Sequence, residues 1–401
     1  MEPDRIGTRV AYLRKARGFT QRRLALEAAI SLSLLTKVES GHAPASPAFV
    51  GAVARALRVD VPRLTGQPYD EPGRGGRLRE TADEIRRTLL TMNYPDDDAP
   101  VRTVEDLAAD VAHLSALGQK AAYLTMGQSV PTLLAELAAA IQNADDTARP
   151  RLYSLLAEAY SGASSIANVL GLPDLRDRVI DQIEVAAANC DDPLRSPRTV
   201  WQRTQSMMNA GAYQQALAVL ERTRRELGSD PTAMTETERS VYGSLHLRSA
   251  VVAARAAGNS DDPLAATARR HLAAAREVAD LTGYDRNDYG LAFGPSNVTQ
   301  HEVSVAVELS DPDTALRESR SHQLPATVPA VRRGHHQIDL ARAHLLADDP
   351  AGAFRCLQAA RKIAPQQARH HPMVRETVAD LAHRRRSTDE LVSYASWLGI
   401  G

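Results

Sequence analysis

The residues best suited to chemistry lie close together near the N-terminus. Leu32, Ser33, Thr36 and Lys37 share one side of a short helical pattern, flanked by Thr20-Gln21-Arg22 and by a loop that carries His42. An ammonium, two hydroxyls and an apolar side chain on one face match what a DNA groove offers. Lys37 suits a guanine edge, Leu32 a thymine methyl, and Arg22 and His42 the neighbouring phosphates. The chemistry implied is recognition of duplex DNA and not bond making.

Two helices must position these groups. The spacing predicts a helix over 21–28 with Thr20 as its hydroxyl N-cap, then a tight turn at Ala29-Ile30. Ser31 caps a second helix that Gly41 ends. Ile30 and Leu35 stand at N′ and N4 of that helix, the positions of a hydrophobic staple. Leu24, Ala28, Leu35 and Val38 form the inward face, which leaves the readout residues outward. A helix this short and this polar outside fits the major groove.

Other constellations carry less. His335, His336 and His344 with Asp339, then His370 and His371, invite a metal reading, but no cysteine joins them and no HExxH occurs. Asp96-Asp97-Asp98 lacks the glycine and closing glutamate of a calcium loop and is expected to be a turn between prolines. Neither a phosphate loop nor a GxSxG elbow is present. No metal, no cofactor and no enzymatic activity are expected.

Composition bounds the rest. At 401 residues the chain has room for two or more domains, and with aromatics at 4% and abundant alanine and leucine it favours helix–helix contacts over sheets. Cys190 and Cys356 sit in helical patterns and imply no disulfide framework, so a reducing cytoplasm, and for a DNA binder the nucleoid, is expected. No signal peptide and no apolar run of membrane-spanning length are expected. The net charge of −1 hides an asymmetry: residues 1–69 carry eleven Lys/Arg against five acids, and the remainder is acidic. A basic head on an acidic body is the balance of a nucleic-acid module joined to another kind of module.

In chain order, a helix over 6–17 shows Ile6, Val10 and Leu13 on one side and Arg9, Arg14 and Arg17 largely on the other. After the helix pair, Ser46-Pro47 opens a helix to about Leu57, with Val50, Val53, Ala54 and Leu57 inward. VPRLTG then closes a five-helix domain over 1–66. Residues 67–76, rich in Gly and Pro, are expected to be a linker. From 77 to 401 only helices are expected: a connector over 77–92, then seven antiparallel pairs. Those pairs are 103–126 with 129–144, 148–169 with 173–190, 194–210 with 212–227, 235–257 with 263–283, 295–309 with 311–322, 329–347 with 350–364, and 371–385 with 387–399. The fold class is therefore all-α, a five-helix domain followed by an α-solenoid.

Two resemblances add to this. The segment RKARGFTQRRLALEAAISLSLLTKVESGHAPASP resembles the XRE family, the helix-turn-helix of phage repressors such as Cro. The resemblance implies backbone and base contact by Gln21, base reading by Leu32, Ser33 and Lys37, and phosphate contact at Ser31 and the loop after Gly41. Two positions depart from the family. Ala29 replaces the usual glycine of the turn, at a cost of about 1 kcal/mol if its φ is positive, and Leu32 stands where Gln or Arg is usual.

GAYQQALAVL (211–220) and DDPAGAFRCLQAARKIAP (348–365) resemble tetratricopeptide repeats, here with a period of about fifty residues. Head and body together are similar to peptide-pheromone receptors, and FGPSNVTQHEV, LPATVPAVRRGHHQIDLARAH and IAPQQARHHPMVRETVADL resemble regulators of high-GC Gram-positive bacteria. That likeness implies a transcription regulator, many of whose relatives serve secondary metabolism, development or quorum sensing. The tetratricopeptide frame places Asn168, Trp201, Gln205, Asn209, Arg248, Arg255, Asn297, His301 and Arg342 on a concave face able to hold a regulatory peptide or small molecule. The implied partners are an operator on double-stranded DNA, such a ligand, and a second copy of the chain as a homodimer, with no membrane. A scaffold whose repeats bind a regulatory protein is the alternative.

Overall fold

In a computed structural model, residues 5–69, 75–92, 94, 102–384 and 388–400 are described. Among them every regular element is a helix, 21 α-helices and two 3-10 turns. They fall into two compact units, Met1–Gln67 together with Thr204–Gly401, and Pro68–Arg203. Residues 70–74 of the expected linker, and the expected turn at 96–98, lie outside the described residues.

The first unit opens with α1 (Ile6–Ala16), α2 (Gln21–Glu27), α3 (Leu32–Ser40), α4 (Pro47–Leu57) and α5 (Val61–Thr65). Its core is the set anticipated from periodicity: Ile6, Val10, Leu24, Ala28, Leu35, Val38, Val50, Val53, Ala54 and Leu57 are all buried, together with Phe49 and Leu64. Each large apolar side chain buried in this way contributes about 2 kcal/mol relative to exposure. Gly7 lets α1 approach α3 closely, since a Cβ there would stand 1.9 Å from the carbonyl oxygen of Val38. Two of the arginines expected opposite the apolar side of α1 are withdrawn from water. Arg14 is buried, and Arg9 is half-buried and donates to the carbonyls of Leu64 at 2.7 Å and Thr65 at 2.9 Å. Their long stems lie against the core, and their heads tie α1 to its neighbours.

The second unit holds α6 (Gly75–Thr91), α7 (Val104–Gln119), α8 (Tyr123–Asn143), α9 (Arg149–Leu170), α10 (Pro173–Ala188) and most of α11 (Arg195–Asn209). Instead of a bare connector, α6 packs on α8 and α9 and buries Leu78, Ala82, Ile85 and Leu89. The first expected pair breaks earlier than anticipated, between Gln119 and Tyr123, where Ala121 adopts φ 55°. Gly127, in the expected break between helices over 103–126 and 129–144, lies within α8, as does Pro131. A Cβ on Gly127 would meet Thr81 Oγ1 at 2.8 Å, so this glycine serves a close helix contact and not a bend. Contrary to the expectation of no such run, α8 is long and apolar enough to cross a membrane by length and composition. Its Met126, Val130, Leu133, Leu134 and Leu137 are buried, as in a core helix.

The first unit continues with α12 (Tyr213–Leu227), α13 (Glu236–Ala257), α14 (Pro263–Thr282), α15 (Pro295–Glu308) and α16 (Pro312–Ser321). It ends with α17 (Ala330–Leu346), α18 (Pro350–Ile363), α19 (Pro365–His370), α20 (Pro372–Arg384) and α21 (Asp389–Leu398). Consecutive helices pack in pairs, α13 on α14, α15 on α16 and α17 on α18, and α13, α15 and α17 also touch one another in turn. Ala216, Ala315, Ala353 and Ala360 are fully buried, as helices that press together closely require. The short α19 was not anticipated, because Pro365 both ends α18 and supplies the first residue of a new helix.

The five N-terminal helices share one apolar core with α17 to α21. Ile6, Val10 and Leu64 belong to the same buried cluster as Ile338, Leu357, Val374, Val378 and Leu398. On another side α4 meets α13, and the phenol oxygen of Tyr213 lies 2.6 Å from where a Cβ on Gly51 would be. The head is thus seated within its unit.

Candidate nucleic-acid interface

Local hydrogen bonds set α2 and α3 as their caps suggest. Thr20 Oγ1 accepts from the Arg23 amide at 3.1 Å and Ser31 Oγ from the Leu34 amide at 3.0 Å. Gly41 closes α3 in the left-handed region at φ 79°. Ala29, in the turn between the two helices, is also left-handed at φ 54°.

The outer face of α3 is open. Ser31, Leu32, Ser33, Thr36 and Lys37 are all exposed, and Leu32 keeps 40% of its surface. Thr36 Oγ1 donates to the Leu32 carbonyl at 2.9 Å, so toward a ligand its hydroxyl offers lone pairs. Ser40 Oγ donates to the Thr36 carbonyl and lies 2.8 Å from His42 Nδ1, which orients the imidazole at the end of α3. Lys37 has no ion-pair partner among the described residues, and Arg22 is exposed on α2. Lys37 and the hydroxyls of Ser33 and Thr36 thus project from a helix whose opposite face is fixed by Leu35 and Val38.

Gln21 is placed differently from the other candidates. It is half-buried, and its Nε2 donates to Glu39 Oε2 at 2.8 Å. Glu39 in turn receives Arg14 twice, from Nε at 2.7 Å and from Nη2 at 2.8 Å. Arg14 also donates to the Phe19 carbonyl. One buried carboxylate therefore ties α1, the start of α2 and the end of α3 together. The Gln21 carbonyl oxygen is the part of that side chain left for a ligand. Arg14 and Glu39 were not singled out in the sequence, although Glu39 lies inside the VESG that ends the second helix.

Residues 5–65 match the sequence family described as Helix-turn-helix domain. The N-terminal region is a helix-turn-helix DNA-binding domain. No curated protein and no solved structure matches the chain.

Beyond the helix-turn-helix domain, the residues suggested for a ligand fall into four places. In the second unit Asn168 is exposed, and Trp201 is half-buried with the Arg198 guanidinium 4.8 Å from its ring centre. In the first unit Arg248 donates to Gln205 Oε1 at 3.0 Å, and Gln205 donates to Asn209 Oδ1 at 3.2 Å, which brings these three into one chain. Asn297 is buried and its side-chain amide donates to the Leu291 carbonyl at 3.0 Å, while its backbone carbonyl lies 2.8 Å from His301 Nδ1. Burial, reinforced by the charge of Arg332, pushes His301 down to about 3 and keeps it neutral.

Arg342 and Arg255 converge on Glu308, at 3.1 Å and 3.6 Å, and Arg342 also reaches Asp339 at 3.2 Å. Glu308 and Asp339 are almost fully buried. Burial works to raise Asp339, but the charges of His335 and Arg342 hold it below the usual carboxylate range. Asn297 and Arg342 are accordingly engaged inside the unit, and the acids that engage Arg342 sit one and two turns from candidate residues of α15 and α17.

Proposed function

We propose that the chain is a sequence-specific transcription regulator whose helix-turn-helix domain reads an operator through the outer face of α3. The observation that carries this reading is that open face. Leu32, Ser33, Thr36 and Lys37 are exposed together on a helix whose other side is locked into a core. In the same reading two copies act together, each domain on one half-site of a twofold operator. The helical body, similar to tetratricopeptide regulators of high-GC Gram-positive bacteria, senses a regulatory peptide or small molecule, sets the dimer, or does both. A ligand acts by binding the DNA-competent and incompetent arrangements with different affinity. The protein works in the cytoplasm at the nucleoid and performs no turnover of its own.

Genomic pull-down followed by a gel shift on the recovered fragments tests the reading, with and without culture extract. A specific, salt-dependent shift that extract strengthens or weakens is expected. Absence of any specific shift at moderate salt overturns the DNA-reading role, and a specific shift that extract leaves unchanged removes the ligand.

A further inference from the structure

α20 turns two carboxylates, one helical turn apart, toward the helix-turn-helix domain. Glu376 is buried, and its Oε2 accepts the backbone amide of Ile6 at 3.2 Å. The nearby backbone amide of Ala45 also favours the charged form of this side chain. Ile6 begins α1, where Arg5 supplies no side-chain cap, so an acid distant in sequence fills that place at the positive end of the helix. Ala45 lies in the stretch that leads from α3 to α4.

The second acid reaches α3 through an arginine. Asp380, fully buried, stands 3.9 Å from Arg5 Nη2 and is held by Arg384 Nε at 2.6 Å. Arg5 Nη2 donates to the carbonyl of Gly41, the residue that closes α3, at 3.3 Å. With Gly7 pressed against Val38, and Arg5 on the Gly41 carbonyl, the start of α1 that the two acids hold bears on the end of the reading helix. α20 also packs on α17, whose Arg342 and Asp339 form a cluster with Glu308, the last residue of α15. His371, just before α20, meets His335 of α17 edge-on at 5.4 Å.

We propose that Glu376 and Asp380 form a clamp that couples the end of the reading helix to the α17–α20 layer. A rearrangement of that layer is then delivered to α3 and its following loop. Releasing the clamp leaves buried amides and a buried acid without partners, so head and layer move together and do not slide apart. This coupling rests on the proposed regulatory role only for its biological use, and it is measurable without DNA or ligand.

Hydrogen exchange on the full chain, followed by mass spectrometry, tests it. Glu376→Ala is expected to speed exchange in peptides covering 5–10 and 42–48 at least tenfold. Peptides across the α2–α3 core should keep wild-type protection, and Glu376→Gln, which retains an acceptor oxygen, should fall between. Arg342→Ala, remote from the head, should speed the same two peptides and add nothing further on a Glu376→Ala background. Wild-type exchange at 5–10 and 42–48 in Glu376→Ala overturns the clamp. If Glu376→Ala loses protection throughout, Glu376→Gln and Asp380→Asn decide on the same peptides, and no change in either overturns it. Unaltered exchange there in Arg342→Ala overturns the coupling. A missing gel shift alongside these exchange changes would remove the regulatory reading and leave the clamp standing.

Discussion

Arg14 and Glu39 meet through two hydrogen bonds of 2.7 and 2.8 Å, with 10% and 6% of their side chains exposed. The pair raises the already high pKa of Arg14, chiefly through the hydrogen bonds to Glu39. Glu39→Ala leaves a guanidinium largely out of water without its counter-ion, and Gln21 without its acceptor. Removing one partner of a buried pair costs about 3–5 kcal/mol, so the variant should lower the urea midpoint of the full chain substantially. Glu39→Gln, which keeps one acceptor, should lose less. A midpoint equal to wild type in Glu39→Ala would show the pair to be dispensable to the fold.

Ala29 offers the opposite outcome. It sits at φ 54°, a region that costs an L-residue roughly 1–2 kcal/mol, while glycine adds back unfolded-state entropy. The residue is exposed, so no packing is lost on removing its methyl group. Ala29→Gly is therefore expected to stabilise the domain by about 1 kcal/mol, read as a higher urea midpoint. A lower midpoint would mean that the turn is not strained in solution.

What was legible in the sequence was local. Thr20, Ser31 and Ser46 cap as their residue types require, and the 3.6-residue period picks out Leu24, Leu35 and Val38 as core. Local pattern misplaces Gly127, because a glycine for close packing and a glycine for turning look alike in one dimension. Helical spacing sets Arg14 opposite the apolar side of α1 and cannot show its burial, because its partner stands 25 residues away. The bond from Ile6 to Glu376 spans 370 residues, and a Gly/Pro-rich segment after the head tells nothing of which surfaces bury each other. Of the ligand candidates, helical spacing puts Asn297 and His301 one turn apart, where His301 Nδ1 meets the Asn297 backbone carbonyl, but Glu308, the acid on which Arg255 and Arg342 converge, carried no signal at all.

Acid should weaken the first unit through its histidines. His246 and His271 face each other with Nδ1 atoms 3.0 Å apart, an arrangement that needs one ring as donor and the other as acceptor. Burial and the charge of Arg224 lower them from 6.5 to about 3 and about 4, and burial lowers His301 to about 3. The unfolded chain then binds more protons than the folded one between about pH 6.5 and 4, so stability falls as pH drops through that window. Glu376 and Asp380, raised by burial, act in the opposite sense above their ordinary values near 4. The cleanest comparison is therefore pH 7.5 against 5.5. A lower urea midpoint at pH 5.5 is expected, with a smaller difference in His271→Asn. Equal wild-type midpoints would contradict the buried neutral rings.

Lys37 and Arg22 separate reading from holding. Lys37 is exposed on the outer face of α3, amid Leu32 and Ser33, whose side chains can donate little to a base edge. With Gln21 Nε2 already committed to Glu39, the proposed readout would lean on Lys37 more heavily than the motif alone suggests. Lys37→Ala should cost about 1–3 kcal/mol on the selected operator and far less on random duplex, so sequence preference relaxes. Arg22→Ala should weaken both duplexes alike and lower the salt slope by about 1, as the loss of one phosphate contact does. Titrations of both variants on both duplexes at several salt concentrations measure this. Equal losses on operator and random DNA in Lys37→Ala would reassign Lys37 to a phosphate and leave α3 reading mainly by shape and by Leu32.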